Sequence, residues 1–146
     1  MNSVLGQELR NTQFEVNRND EEDSIRYRIL AVILSSVPTE TTFGRSDNNL
    51  DRQLARVLRN RTHPIITENF SIDPDYDSSP EVKELLSCSY GYGSSIGLEN
   101  WGPDFHYRVT KRTHEVAEEI IGLGMFSQRD IKYLQRLGRK LTAINC

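Results

Sequence analysis

Aliphatic side chains recur at helical spacing through several stretches of this chain, and caps, glycines and prolines mark where each stretch begins and ends. Ile25, Ile29, Val32 and Ile33 share one helical face. Asp23 or Ser24 can cap the first turn, and the acidic run Asp20, Glu21, Glu22, Asp23 suits the positive end of the helix dipole. Ser35-Ser36-Val37-Pro38 ends the element, because proline disfavours the α conformation in the residue before it. Ile25, Tyr27 and Ile29 also alternate, so a strand is the competing reading. After a loop from Thr39 to Ser46, Asp47 or Asn48 would cap a second helix. Its stripe is Leu50, Leu54, Val57 and Leu58, and Pro64 would stop it.

Ile65 to Phe70 is apolar without a clear period. Ser79-Pro80-Glu81 then forms a complete helix start, with proline at the first helical position and a carboxylate near the dipole. Val82, Leu85 and Leu86 are the buried face of this third, short helix. A further helix is expected from Asp104, or from Thr113 on a stricter reading, to Leu123, with Val116, Ala117, Ile120 and Ile121 inward. Gly124 supplies the left-handed residue that ends it. Ser127 caps the last helix with Asp130 three residues on, while Phe126 and Ile131 sit as a hydrophobic staple. Ile131, Leu134, Leu137 and Leu141 form its stripe. Gly138 lies beside that stripe, where glycine costs about 1 kcal/mol against alanine. It implies a close backbone approach or an early helix end.

These elements predict a mainly α fold: a helical bundle of about four or five helices in one domain over residues 23–146, preceded by a polar arm over 1–22. The last two helices make an αα-hairpin. A long loop over 88–104, rich in glycine, serine and aromatics, precedes it. A small β element is allowed near 65–72 or 105–110.

Length supports the single domain, since 146 residues bury roughly 68–70% of their unfolded surface. The chain is more polar than usual, at 36% hydrophobic and 27% charged residues, so part of its surface is available to a partner. A net charge of −3 argues against a general nucleic-acid or anionic-membrane binder. Locally the balance reverses, because Arg129, Lys132, Arg136, Arg139 and Lys140 make the last helix basic. Two cysteines, Cys88 and Cys146, form no disulfide framework and read as a reducing compartment. With no signal-peptide pattern and no apolar run near the ~20 residues of a membrane span, the expected location is cytoplasmic or otherwise intracellular.

Four groups carry candidate chemistry. In the long loop and just beyond it, Tyr90, Tyr92, Trp101, Asp104 and His106 could contact a partner or a small ligand, aromatics offering an apolar face with a polar tip. Gly91-Tyr92-Gly93-Ser94-Ser95 lacks both the lysine and the spacing of a phosphate loop. Asp73, Asp75, Asp77 and Glu84 match positions 1, 3, 5 and 12 of a calcium-binding EF-hand loop, yet Ser78 replaces its glycine and Pro80 breaks its pattern. A solvated acidic loop is the plainer reading, and no cofactor is expected. His106 and His114 would share a face only on a continuous helix, and no third metal ligand is evident for them or His63. A nucleophilic pair of Cys88 with one of the histidines stays open as a minor catalytic reading. Finally, Arg129, Lys132, Arg136 and Lys140 could meet phosphates, although Ile120-Ile121-Gly122-Leu123-Gly124 does not reproduce the usual helix-turn-helix turn.

The run from Ser24 to Gly44, an apolar helix and a turn into Phe43-Gly44, resembles the start of small phage baseplate proteins. The downstream strands of such proteins are absent from the pattern, and no residue role is carried over. With no complete catalytic constellation, the expected function is non-enzymatic: an assembly or adaptor protein acting through protein contacts, as homo-oligomer or with a protein partner, in a virus particle or another large complex. The alternatives are a nucleic-acid-binding regulator using the last helix, and a small enzyme or ligand-binding protein using residues 88–106.

Overall fold

The computed structural model describes residues 25–44, 49–87, 96–101 and 106–145. The described chain is mainly helical, with one small antiparallel sheet. The expected arm over 1–22 lies outside the described residues.

Helix α1 occupies 25–34, which removes the strand alternative. Its packing differs from the one-faced expectation. Ile29, Leu30, Ala31, Val32, Ile33 and Leu34 are all fully buried, whereas Ile25 is 39% exposed. A helix apolar on all sides belongs inside the protein, and α1 is the central element of the core. Its polar first turns reach outward, Arg26 Nε donating to the Asn69 carbonyl at 2.9 Å.

Strand β1 (Thr42–Phe43) lies within the segment read as a loop. Helix α2 (Leu50–Leu58) is capped by Asn49, not Asp47 or Asn48: the Asn49 side chain accepts from Arg52 N at 2.9 Å. Helix α3 (Pro64–Thr67) corrects the role of Pro64. The preceding helix has already stopped at Leu58, and Pro64 opens a new turn where its missing N–H is harmless. Helix α4 (Pro80–Ser87) starts at the expected proline. Ser79 is buried beside it, with Val82 N donating to its Oγ.

Strands β2 (Glu99–Trp101) and β3 (His106–Arg108) complete the sheet in the order β1-β3-β2, all pairs antiparallel. Thr42 pairs with Arg108 and Phe43 with Tyr107 on one side, and Glu99 with Arg108 and Trp101 with His106 on the other. The β element expected near 105–110 is therefore present. The one expected near 65–72 is not, as Pro64–Thr67 is helical. Arg108 on the middle strand holds Glu99 at 2.6 Å and Glu40 at 3.3 Å. Glu99's hydrogen bond, and both negative charges, keep the guanidinium pKa above its ordinary value.

Helix α5 (Lys111–Gly122) begins neither at Asp104 nor at Thr113. Residues 106–108 are spent on the sheet, and Thr110 forms the cap in a reciprocal arrangement with Thr113. Gly97 closes the approach to this cap. Its φ is +81°, its carbonyl accepts from both Thr110 Oγ1 and Thr113 Oγ1, and a Cβ there would run into the backbone of Arg112 and Thr113. Only glycine meets both demands.

Helix α6 (Gln128–Asn145) follows residues 123–127. Ser127 caps it as expected, Asp130 N donating to Ser127 Oγ at 3.1 Å. Ile131, Leu134, Leu137 and Leu141 are buried, and the helix packs on α2. It also touches the end of α1. A Cβ on Gly138 would collide with the Ile33 carbonyl and the Ser36 hydroxyl, which itself donates to Gln135 O at 2.7 Å. The glycine marks a close backbone approach, not a helix end.

Candidate interaction surfaces

The acidic segment is held for structural reasons. Asp73 and Ser78 exchange two backbone hydrogen bonds across a tight turn, and Asp75 N donates to the Asp73 side chain at 3.0 Å. Asp77, at φ +47°, accepts from Arg56 Nε at 3.0 Å and Arg59 Nη1 at 2.9 Å, which ties the turn to α2. Glu81 accepts from Ser71 N, Ser71 Oγ and Ser79 Oγ. Partial burial pushes this carboxyl's pKa up, yet those hydrogen bonds outweigh it and leave the value below the ordinary one.

Among the described residues no three carboxylate, imidazole or thiol side chains converge on a metal position, so Asp73, Asp75, Asp77 and Glu84 do not form one ligand set. Beside the turn lies an open cleft of about 480 Å³, lined by Asp73, Asp75, Asp77, Arg52, Lys83 and the exposed Tyr76. Its charges are mixed.

The histidines serve as fasteners. His63 Nδ1 accepts from Ile65 N at 3.1 Å, which caps α3 and puts the neutral ring's proton on Nε2, facing Asp130 at 3.4 Å. The ring stacks on Tyr133 with centroids 4.4 Å apart, joining α3 to α6. His114 Nε2 donates to the Val37 carbonyl at 2.6 Å and so secures the chain leaving α1. His106 lies in β3 and His114 in α5, so the continuous helix on which the two would share a face does not exist. Spacing argued against a metal site for the histidines but did not show the capping role of His63.

Of the loop residues, Tyr90, Tyr92 and Asp104 lie outside the described residues, as does Cys88. Trp101 and His106 are backbone partners at the end of the β2–β3 ladder. Tyr107, next to His106 in β3, donates its hydroxyl to the Leu86 carbonyl at the end of α4. Burial raises its pKa, and the negative charge of Asp51 adds to the effect.

Two surfaces remain. At the α5–α6 corner, Gly124 takes a φ of +74° and turns the chain, leaving Leu123 65% and Met125 44% exposed. Arg28 Nη1 donates to Met125 Sδ at 2.8 Å. That contact ties the corner to the second turn of α1, whose first residue, Ile25, is also exposed. In the sequence Leu123 and Met125 flank Gly124 outside any helical stripe, so no periodicity points to this surface.

The second surface is the outer face of α6, where Arg129, Lys132, Arg136, Arg139 and Lys140 are all exposed. Among the described residues none of the five meets a carboxylate. Compared with known proteins, the chain matches no family model, no curated protein and no solved structure. No helix among the described residues is long and apolar enough to cross a membrane.

Proposed function

We propose that this chain is a non-enzymatic assembly or adaptor protein that works through protein contacts, as a subunit of a large complex such as a virus particle. The observation that supports this most is the apolar corner. Leu123 and Met125 are large, unbranched at Cβ and adaptable, and they protrude at a turn held by the ends of two long helices. Methionine and large apolar side chains at the centre of a patch, with arginine at its edge, are the composition of a protein interface. Arg28 supplies that edge. Covering each such side chain contributes roughly 1.5–3 kcal/mol.

Native mass spectrometry and light scattering on the purified chain test the proposal, together with capture from its native extract. The wild type is expected to form oligomers or retain a protein partner, and Leu123→Asp with Met125→Asp is expected to abolish both. A wild-type monomer that captures nothing, or assembly unchanged in the double variant, would refute it.

A further inference from the structure

We infer that the outer face of α6 docks on the phosphate backbone of a nucleic-acid duplex. The inference is independent of the protein-contact proposal and rests on different residues. Taken at 100° per residue, Arg129, Lys132, Arg136, Arg139 and Lys140 fall within an arc of about 100°. That arc lies nearly opposite the buried stripe Ile131, Leu134, Leu137, Leu141. From Arg129 to Lys140 it runs about 16 Å along the helix. Duplex DNA presents one negative charge per about 1.7 Å of its axis, so that length faces roughly ten phosphate charges. Five cations with no carboxylate partner among the described residues can each find one.

Three features choose this occupant over other anionic ones. Between Arg129 and Lys140 that arc holds lysine and arginine only. Arginine is common at both kinds of interface, but the core of a protein interface is depleted in lysine, which stands here at Lys132 and Lys140, and enriched in aromatic and apolar groups, which the arc lacks between Arg129 and Lys140. A membrane-surface helix inserts an apolar face into the lipid boundary, but here that face is already spent on α2 and the end of α1. The position also suits docking. The helix is anchored at its cap by Ser127 and along its length by the core, so presenting the cations costs no folding of the helix on contact.

The chain's net charge of −3 makes the interaction local and steeply dependent on salt. With five phosphates neutralised, the slope of log affinity against log salt is about −4.5. Affinity should then fall about 500-fold between 50 and 200 mM salt.

The test is fluorescence anisotropy of the full chain with a labelled duplex DNA of about 20 base pairs, across that salt range. Arg136→Ala with Lys140→Ala should reduce the slope by about 1.8 while leaving the circular dichroism of the protein unchanged. Leu123→Asp with Met125→Asp should leave DNA binding intact, which separates this result from the protein-contact proposal. The inference is overturned by absence of binding at 50 mM salt, or by a slope unchanged in the Arg136/Lys140 variant. Equal competition by polyglutamate or by anionic phospholipid vesicles at matched charge also overturns it.

Discussion

Gly138→Ala offers a direct measure of how α6 sits on the end of α1. In an open helix position the change should stabilise, since alanine is favoured over glycine by about 1 kcal/mol. Here the added Cβ meets the carbonyl of Ile33 and the hydroxyl of Ser36 at distances no real Cβ shows. The Ile33 carbonyl is backbone and cannot rotate away. The two helices must part, and overpacking of this kind typically costs about 1–3 kcal/mol. Separation also stretches the Ser36 Oγ to Gln135 O hydrogen bond, worth about 1 kcal/mol. Subtracting the gain in helix propensity leaves a net destabilisation of about 1–3 kcal/mol. For a chain of this size that lowers Tm by about 2–12 °C. Gly122→Ala is the matched control, because a Cβ at Gly122, on the exposed end of α5, meets nothing within 4 Å. It should raise stability by up to about 1 kcal/mol. Denaturant midpoints and thermal melts of both variants decide the matter. If Gly138→Ala were as stabilising as Gly122→Ala, the close packing of α6 on the end of α1 would be wrong.

Thr110→Ala should destabilise by about 1–2 kcal/mol in denaturant titration, as it removes the cap of α5 and one hydrogen bond to Gly97 O, while Thr110→Ser should retain most of that stability. Glu81 has a folded pKa below its unfolded one, so its contribution is fully present above the ordinary carboxylate value of 4.5 and is lost as pH falls through the lower, folded value. Glu81→Gln should accordingly reduce the loss of stability between pH 6 and pH 3 relative to wild type, measured as the shift in urea midpoint; an unchanged shift would show that the carboxylate's hydrogen bonds to Ser71 and Ser79 are not held in solution.

The parts of the fold legible in the sequence are those where one side of an element faces water. In α6 and α2 the apolar residues recur against charged ones, and in α6 the Ser127 cap stands at its expected place. Gly138 could be read as a close approach because it adjoins the stripe of a long helix, although its neighbour could not be named. In α1 the pattern was less informative. With Ile29 through Leu34 buried on all sides there is no polar face to set the phase, so the spacing that puts Ile25 on one face with Ile29 does not reveal that Ile25 is exposed. The sheet was least legible. Strands of two and three residues carry no period, and Thr42 pairs with Arg108 across 66 residues of chain, beyond the reach of local propensity. Similar non-local demands moved the start of α5 to Lys111 and turned His63 into a cap and stacking partner for α6. The basic face of α6 was visible from its three- and four-residue spacing. The apolar corner was not, because Leu123 and Met125 belong to no stripe and stand out only once Gly124 has turned the chain.

The buried central helix sets an order of events for the nascent protein. Ser36 meets its partner Gln135 across 99 residues of chain, and His114 reaches back over 77 to Val37. At synthesis rates of about 5–20 residues per second, the greasiest segment leaves the ribosome roughly 5–20 s before the helix that seals it. For that interval it can be shielded only by neighbours made earlier or by a chaperone. Truncation ahead of α6 should therefore yield an aggregating product, and slow codons in the last third of the message would lengthen the time at risk.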